Sequence, residues 1–169
     1  MRLHAPVLPA LPVAAVAIAC AGGVAMPALA DCRNVNGHYT EQLATSTPCS
    51  SMVGVCLQGV FSGVVLGSFT TAVDTFVPTP DALSIGVAQF TAGSILDVRI
   101  GNRAGGLYVR NTGATRTTGA GEIVDLQTIV GGTGDFLGAS GVMTAVGTFS
   151  FASGGRSEYA GMVCVPGMF

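Results

Sequence analysis

The chain has 169 residues, with seven Arg, nine acidic residues, a net charge of −2 and only 9% charged residues. This length suits one domain with a real core and is too short for two comfortable ones. The few cations form no basic stripe that could neutralise a phosphate backbone, so nucleic acid is not expected as a partner.

The first segment, residues 1–30, has the order of a cleavable export signal. A short positive start at residues 2–4 is followed by an uncharged apolar run over 7–26. Small residues then lie at the positions that a signal peptidase reads, so we predict cleavage between Ala30 and Asp31. The prediction is a secreted or periplasmic protein with no membrane attachment after cleavage.

Two alternatives to cleavage remain for this segment. A permanent anchor is long enough to span a bilayer, but Pro9, Pro12 and Pro27 make it a poor spanning helix. Lipid attachment at Cys20 has the small residue before cysteine that such a signal needs, although an apolar run follows where a polar tether is expected.

Four cysteines remain after residue 30, and an even number in an exported chain indicates disulfides. Three pairings are possible. We favour Cys56 with Cys164, because the first and last strand-like runs are neighbours if the sheet closes, which leaves Cys32 with Cys49. His38 is the only histidine after residue 30, so no metal site is expected.

The composition changes along the remaining chain. Residues 31–52 are polar and predict an irregular, disulfide-stapled N-terminal arm, whereas 53–169 hold short runs of Val, Ile, Phe and Thr broken by Gly, which is typical of an all-β sandwich or barrel. One helical turn is expected near 135–137. The predicted strands are 53–66, 67–77, 83–92, 95–101, 105–112, 115–130 (interrupted near 119–121), 141–151 and 156–165.

Several of these runs are apolar on both faces. In 122–130, three apolar side chains lie on one side (Val124, Leu126 and Val130) and two lie on the other (Ile123 and Ile129). An open sheet with one wet face alternates more cleanly. We therefore predict a closed barrel whose outside is covered by the N-terminal arm or by another subunit, which makes a homo-oligomer a fair hypothesis.

A glycine-rich segment joins two of the predicted strands. Residues 121–141 read GEIVDLQTIVGGTGDFLGASG. Glycines permit positive φ and close backbone approach there, and an aromatic side chain supplies an apolar plug. A phosphate-binding turn is disfavoured, because the third glycine of the dinucleotide fingerprint, the βαβ unit and a Walker lysine are missing. The turn residues are Gly131, Gly132, Gly134, Phe136, Gly138 and Gly141.

This segment resembles the allene oxide cyclase and dirigent barrel-like superfamily, in which a strand enters a Gly-Gly-Thr-Gly-x-Phe/Tyr turn and leaves along the next strand. The runs at 148–151 and 158–161 look like that family's last two strands. The resemblance implies a single antiparallel eight-stranded barrel, often oligomeric, that binds a small apolar ligand in its lumen without metal or cofactor. A cofactor-free cyclase or isomerase and a purely structural extracellular barrel are the alternatives.

Few residues could carry chemistry in such a barrel. Glu122 and Asp125 are three apart, hence on opposite faces of a strand, so only one can point into the lumen. The candidate ligand contacts form a polar cluster on two successive strands. Asp97 and Arg99 share a face of the first strand, and Tyr108 and Arg110 share a face of the next. The alternative for this cluster is a solvated outer face with ordinary ion pairs.

Two further groups of polar residues are weaker candidates for a functional site. Arg156 and Glu158 alternate on the last predicted strand, and they have the same outer-face alternative. Ser/His/Asp catalysis needs a histidine base, and His38 lies in the polar arm, so hydrolase activity is disfavoured.

Overall fold

The computed structural model describes residues 30–45, 48–79 and 86–167. Their strands follow one another around a closed antiparallel barrel in chain order, and the last pairs with the first. The predicted all-β, eight-stranded barrel is confirmed. The strands are β1 (Ala30–Leu43), β2 (Cys56–Gly63), β3 (Val65–Pro78), β4 (Val87–Ile100), β5 (Arg103–Arg116), β6 (Glu122–Gly132), β7 (Ser140–Ser150) and β8 (Gly154–Pro166).

Helical structure in the described residues is limited to one 3₁₀ turn, Gly134–Phe136, between β6 and β7. It lies where the sequence predicts a single turn. Within the described ranges, no helix is long and apolar enough to cross a membrane. The predicted export signal and its alternatives lie outside the described residues, apart from its final residue, and stay predictions.

β1 corrects the prediction of an irregular arm over 31–52. Residues 30–43 form a barrel strand that pairs with β2 on one side and β8 on the other. Val35 and Tyr39 point inward and are almost fully buried, whereas Asn34, Asn36 and Thr40 beside them are polar and exposed. This strand closes the barrel and does not cover its outside. Only the second half of the predicted arm is a connection, from β1 to β2.

The strand count is right, but its membership differs. The predicted strands 83–92 and 95–101 are one continuous strand, β4, while β1 takes the eighth place. Gly93 and Ser94 suggest a break in the sequence. In the structure Ser94 is buried and hydrogen-bonded to side chains of both neighbouring strands, which satisfies its hydroxyl and lets the strand continue.

The disulfide pairing also differs from the prediction. Cys32 is bonded to Cys164, and Cys49 is bonded to Cys56. The favoured pairing assumed that the first strand begins near Cys56, but β1 precedes it, and Cys32 lies directly opposite Cys164 in the register of β1 with β8. This bond ties the N-terminal region to the last strand, and the second bond staples the β1–β2 connection.

One end of the barrel is packed solid. Phe136 has no exposed surface and plugs this end from the 3₁₀ turn. Around it lie aliphatic side chains from the strand ends: Val65, Ile100, Leu107, Val163 and Val165. Burying side chains of this size contributes about 1.5–3 kcal/mol each, so this end anchors the fold.

The turn that carries Phe136 is fastened to β5. The backbone N–H of Gly106 donates to Thr133 Oγ1 over 3.1 Å, and that of Ala104 donates to Asp135 Oδ2 over 3.0 Å. Gly134 has a φ of +61°, which L side chains rarely adopt. The remaining turn glycines differ: Gly138 and Gly141 also have positive φ, Gly132 packs closely on the Phe136 backbone, and Gly131 has neither feature.

The outer surface of β6 carries Val124, Leu126 and Val130, which are about half exposed, while Ile123 and Ile129 point inward. This is the two-faced pattern that the sequence shows. Nothing in the described chain covers the outer set.

Candidate functional site

The other end of the barrel holds a lumen cavity of about 70 Å³. Its lining comes from the ends of strands that lie opposite the Phe136 plug, including Phe76 near the end of β3 and Phe149 near the end of β7. An engineered cavity of roughly 150 Å³ accommodates benzene. The lumen can therefore take the head of a small molecule, with the rest of the molecule at the mouth.

Four phenylalanines line the mouth of the cavity: Phe76, Phe90, Phe149 and Phe151. The ring of Phe151 lies 6.2 Å from that of Phe76 and 5.4 Å from that of Phe149, both in edge-to-face arrangements. A bulge at Asp74 shifts the register of β3 on β4. The inward-facing parity changes there, which keeps Phe76 directed into the barrel.

An aromatic layer separates the cavity from the packed end. Tyr39, Phe61 and Phe69 contact one another with ring centroids 5.1–5.5 Å apart, and Tyr159 lies 5.2 Å from Phe61. The Tyr159 hydroxyl accepts a hydrogen bond from the Val65 backbone N–H over 3.0 Å. This layer forms the floor of the cavity, because Tyr39, Phe61 and Phe69 line it and pack on one another and on Tyr159.

A chain of buried hydrogen bonds crosses four neighbouring strands just above this floor. Ser94 donates to Asn111 Oδ1 over 2.9 Å, so the Thr71 hydroxyl, 2.7 Å from Ser94, is the donor of that pair. Asn111 Nδ2 in turn donates to Asp125 Oδ2 over 2.7 Å. Every donor in the chain points toward Asp125.

Gln127 completes the network from the same strand as Asp125. Its Nε2 donates to Asp125 Oδ2 over 3.0 Å and lies 3.5 Å from the Tyr39 hydroxyl across the barrel. Two amide donors therefore converge on one carboxylate oxygen. Such bonds stabilise the ionised form and fix the orientation of the carboxyl group.

The second oxygen of Asp125 differs from the first in having no hydrogen-bond partner. Asp125 is only 5% exposed and lines the lumen, and its Oδ1 has no hydrogen-bond partner among the described residues. Burial raises the pKa of Asp125, while hydrogen bonding from Gln127, Asn111 and the Thr112 backbone opposes that rise. The two residues directly opposite Asp125 on the neighbouring strands are small, Gly113 and Ala145, and the ring of Phe90 lies over Gly113.

Glu41 brings a second carboxyl group into the cavity from β1. Its cross-strand neighbours are Gly59 and Gly155, and its Oε1 has no partner among the described residues. Burial, followed by the charge of Asp125, raises the pKa of Glu41 to about 7. Burial and the same two carboxyls also raise the pKa of Tyr39, so its phenol stays neutral. The site thus combines Glu41, whose pKa is about 7, with Asp125, whose carboxyl group accepts two hydrogen bonds.

The structure separates the two acids that the sequence singles out. Asp125 faces the lumen, whereas Glu122 is exposed and forms an ion pair with Arg116, with Nη1 and Oε1 3.1 Å apart. Glu41 and Asn111 belong to the site but are not sequence candidates. Glu41 could have been found from the sequence only by treating this segment as a strand. Val35, Tyr39 and Glu41 are separated by even numbers of residues, so they share one face of a strand.

The four predicted ligand contacts lie on the outer surface. Asp97, Arg99 and Arg110 are exposed, and Tyr108 is 43% exposed. Arg110 is paired with Asp74 over 3.6 Å. Tyr108 and Arg110 border a groove of about 420 Å³, and four of the residues that line this groove also line the lumen cavity: Leu57, Thr71, Ser94 and Val109. A ligand contact there stays a prediction. Arg156 and Glu158 are likewise exposed.

The described residues hold no group of side chains arranged to bind a metal ion. In the ranges 30–45, 48–79 and 86–167, no three His, Cys, Asp or Glu side chains are grouped as metal ligands would be. Glu41 and Asp125 are the carboxyls of the lumen, and no histidine accompanies them there.

The fold and the lumen thus define a closed eight-stranded barrel with an apolar mouth and an acidic interior. No protein-family model matches the chain, and no curated protein matches it. Among solved structures, that of the pterocarpan synthase dirigent protein GePTS1 is similar to 90% of this chain and 99% of that chain, at 17% identity and a TM-score of 0.33. At that TM-score the similarity carries no argument about ligand or activity.

Proposed function

We propose that this protein binds a small apolar molecule in the lumen of its barrel. The observation that carries the proposal is the cavity itself, with phenylalanines at its mouth and unpartnered oxygens of Glu41 and Asp125 inside. A buried polar atom without a partner costs about 1–3 kcal/mol. A ligand with a polar head recovers that cost, and its apolar part displaces water from the mouth.

Two other observations agree with this proposal. The glycine-rich segment 121–141 resembles the allene oxide cyclase and dirigent superfamily, whose members hold apolar molecules in such barrels. The two disulfides are consistent with an oxidising compartment outside the cytoplasm, where nucleotide cofactors are scarce. We infer that an exported barrel of this kind works with its side chains and shape alone.

The binding test fills the cavity from inside. Ala92 lines the lumen at 2% exposure, so Ala92→Leu adds roughly the volume that the cavity offers. Ala160→Leu, on the exposed face of β8, is the matched control. We expect 2-phenylethanol to bind the wild type and the control at millimolar concentration by ligand-observed NMR, and to lose binding to Ala92→Leu.

Overpacking costs about 1–3 kcal/mol, so circular dichroism and thermal unfolding must first show that Ala92→Leu is folded. Equal binding to all three proteins would place the probe outside the lumen and reject the proposal. Failure of any apolar probe to bind would favour the structural barrel instead.

A second candidate function, a cofactor-free isomerase or cyclase, is favoured by the carboxyl pair. Glu41, half protonated near pH 7, can give a proton, and Asp125, held by two amide donors, can accept one. Such a pair suits a proton shift next to a carbonyl group. Asn111 and Gln127 act as positioning residues for Asp125.

Hydrogen exchange tests this candidate directly. We expect the protein to speed exchange of the acidic C–H hydrogens of phenylacetone in D₂O, and Asp125→Asn to lower that rate by about 10²–10⁴-fold. Glu158→Gln, an exposed carboxyl on β8, is the control. An unchanged rate in Asp125→Asn would dismiss the enzyme and leave the binding protein.

A further inference from the structure

The lumen has carboxyl groups but no cation. Glu41 and Asp125 line the cavity, whereas none of the described residues that line it is Lys, Arg or His. A buried charge without a counter-ion is costly, and proteins normally pair such charges or neutralise them. A ligand that brings a positive charge would offset this cost, and a ligand that brings a negative charge would add to it.

The geometry at Asp125 leaves one place for that charge. Oδ2 already accepts two hydrogen bonds, from Asn111 and Gln127, while Oδ1 is buried and unpartnered on a residue that lines the cavity. Glu41 Oε1, on β1, is likewise without a partner among the described residues. An ammonium group has three donors and no acceptor, which suits carboxylate oxygens that have no donor of their own.

The mouth is suited to the same group. Four phenylalanine rings line the mouth of the cavity. Aromatic faces attract cations, and the attraction grows as the cation loses its water. The apolar part of the ligand would then rest among these rings, because the cavity of about 70 Å³ has room only for the head.

From the unpaired carboxyl oxygens and the aromatic mouth, we propose that the ligand is an apolar amine whose ammonium group donates to Asp125 Oδ1. This proposal rests on the lumen-binding function and specifies its ligand class. Lumen binding would survive if the amine preference failed.

Arg116 offers the competing possibility. It borders a small cavity at the rim together with Phe76 and Phe149, and its Nε has no partner. Its Nη1, however, is paired with Glu122 outside the lumen. A carboxylate ligand would have to use this rim arginine and turn its charge away from Asp125.

The test compares three probes that share one ring: 2-phenylethylamine, 2-phenylethanol and phenylacetate. Calorimetry or ligand-observed NMR at pH 7 should give the order amine, alcohol, carboxylate, with about tenfold between amine and alcohol, since a charged hydrogen bond is worth over 1 kcal/mol more than a neutral one. Asp125→Asn should remove that difference, and Glu158→Gln should keep it.

Each outcome decides a different claim. Alcohol binding as tight as amine binding overturns the amine proposal and keeps the apolar lumen. Phenylacetate binding more tightly than the amine overturns it in favour of Arg116. No binding by any probe rejects the lumen-binding function together with the amine. If Asp125→Asn does not fold, Glu41→Gln takes its place as the variant that removes a lumen carboxyl group. The order of affinities measured with the wild type still tests the proposal in that case.

Discussion

Glu41 makes the stability of the fold depend on pH. Its pKa is raised from an ordinary value of 4.5 to about 7, chiefly by burial and then by the charge of Asp125. The folded chain therefore keeps a proton that the unfolded chain has lost between these two values. In that window the free energy of unfolding falls as the pH rises, because the folded state binds more protons.

We predict that Glu41→Gln flattens this dependence. A pKa change of one corresponds to about 1.4 kcal/mol, so the wild type should lose roughly 3 kcal/mol between pH 4.5 and pH 7, with a contribution of the same sign from Asp125. Urea unfolding at a series of pH values measures it, with Glu158→Gln as the control. Parallel curves for Glu41→Gln and the wild type would contradict the assignment of Glu41 to the lumen.

At the level of single residues, strand parity carries much of the site. Because side chains alternate, Glu122 and Asp125 fall on opposite faces, and in the structure one is exposed and the other buried. Parity cannot say which face is the lumen. Asp97 and Arg99 show this, since their shared face is the outer one. The sequence could not predict the role of Asn111, because that role depends on side chains of both neighbouring strands.

Among the elements, the 3₁₀ turn with Phe136 is the best-anchored feature. We predict that Phe136→Ala costs about 3–5 kcal/mol in the free energy of unfolding, since a large buried ring is replaced by a cavity. Leu137→Ala, at a side chain that is 74% exposed, should change it by less than about 0.5 kcal/mol. Chemical denaturation of both variants measures the difference. Similar small losses would mean that the turn does not plug the barrel.

β1 shows why a strand can be missed in the sequence. Its outward residues are polar, and its inward set includes Gly37, which adds no apolar signal. Gly37 is needed there because a Cβ would collide with the Ser62 carbonyl oxygen and the Tyr159 hydroxyl. The last two strands, β7 and β8, are rich in apolar residues and were predicted close to their observed bounds, whereas the predicted strand 115–130 combined the end of β5 with β6.

For the whole molecule, the two disulfides should differ in what they contribute. Cys32–Cys164 joins residues 132 apart in the sequence, and Cys49–Cys56 joins residues 7 apart. The loop-entropy relation gives roughly 5 kcal/mol for the first and about 2.5 kcal/mol for the second. We expect double Cys→Ser variants to lose stability in that order on urea unfolding. The reverse order would show that loop length does not govern these bonds.

Homo-oligomerisation stays a prediction, and the outer faces of β6 and β7 are where we expect it. Apart from Glu122, both faces lack charge, and they expose Val124, Leu126, Val142 and Val146. Exposed apolar sheet faces of this kind commonly mark interfaces. Size-exclusion chromatography with light scattering should give an oligomer that Val146→Glu dissociates. A strict monomer at all concentrations would refute the prediction.

The most direct measurement of lumen binding is a crystal structure with a bromine-labelled 2-phenylethylamine. We predict an anomalous bromine peak among the phenylalanines at the mouth and the amine nitrogen within hydrogen-bond distance of Asp125 Oδ1. A fully occupied ligand in the groove beside Tyr108 and Arg110, with the lumen empty, would contradict the claim that this barrel binds its ligand inside.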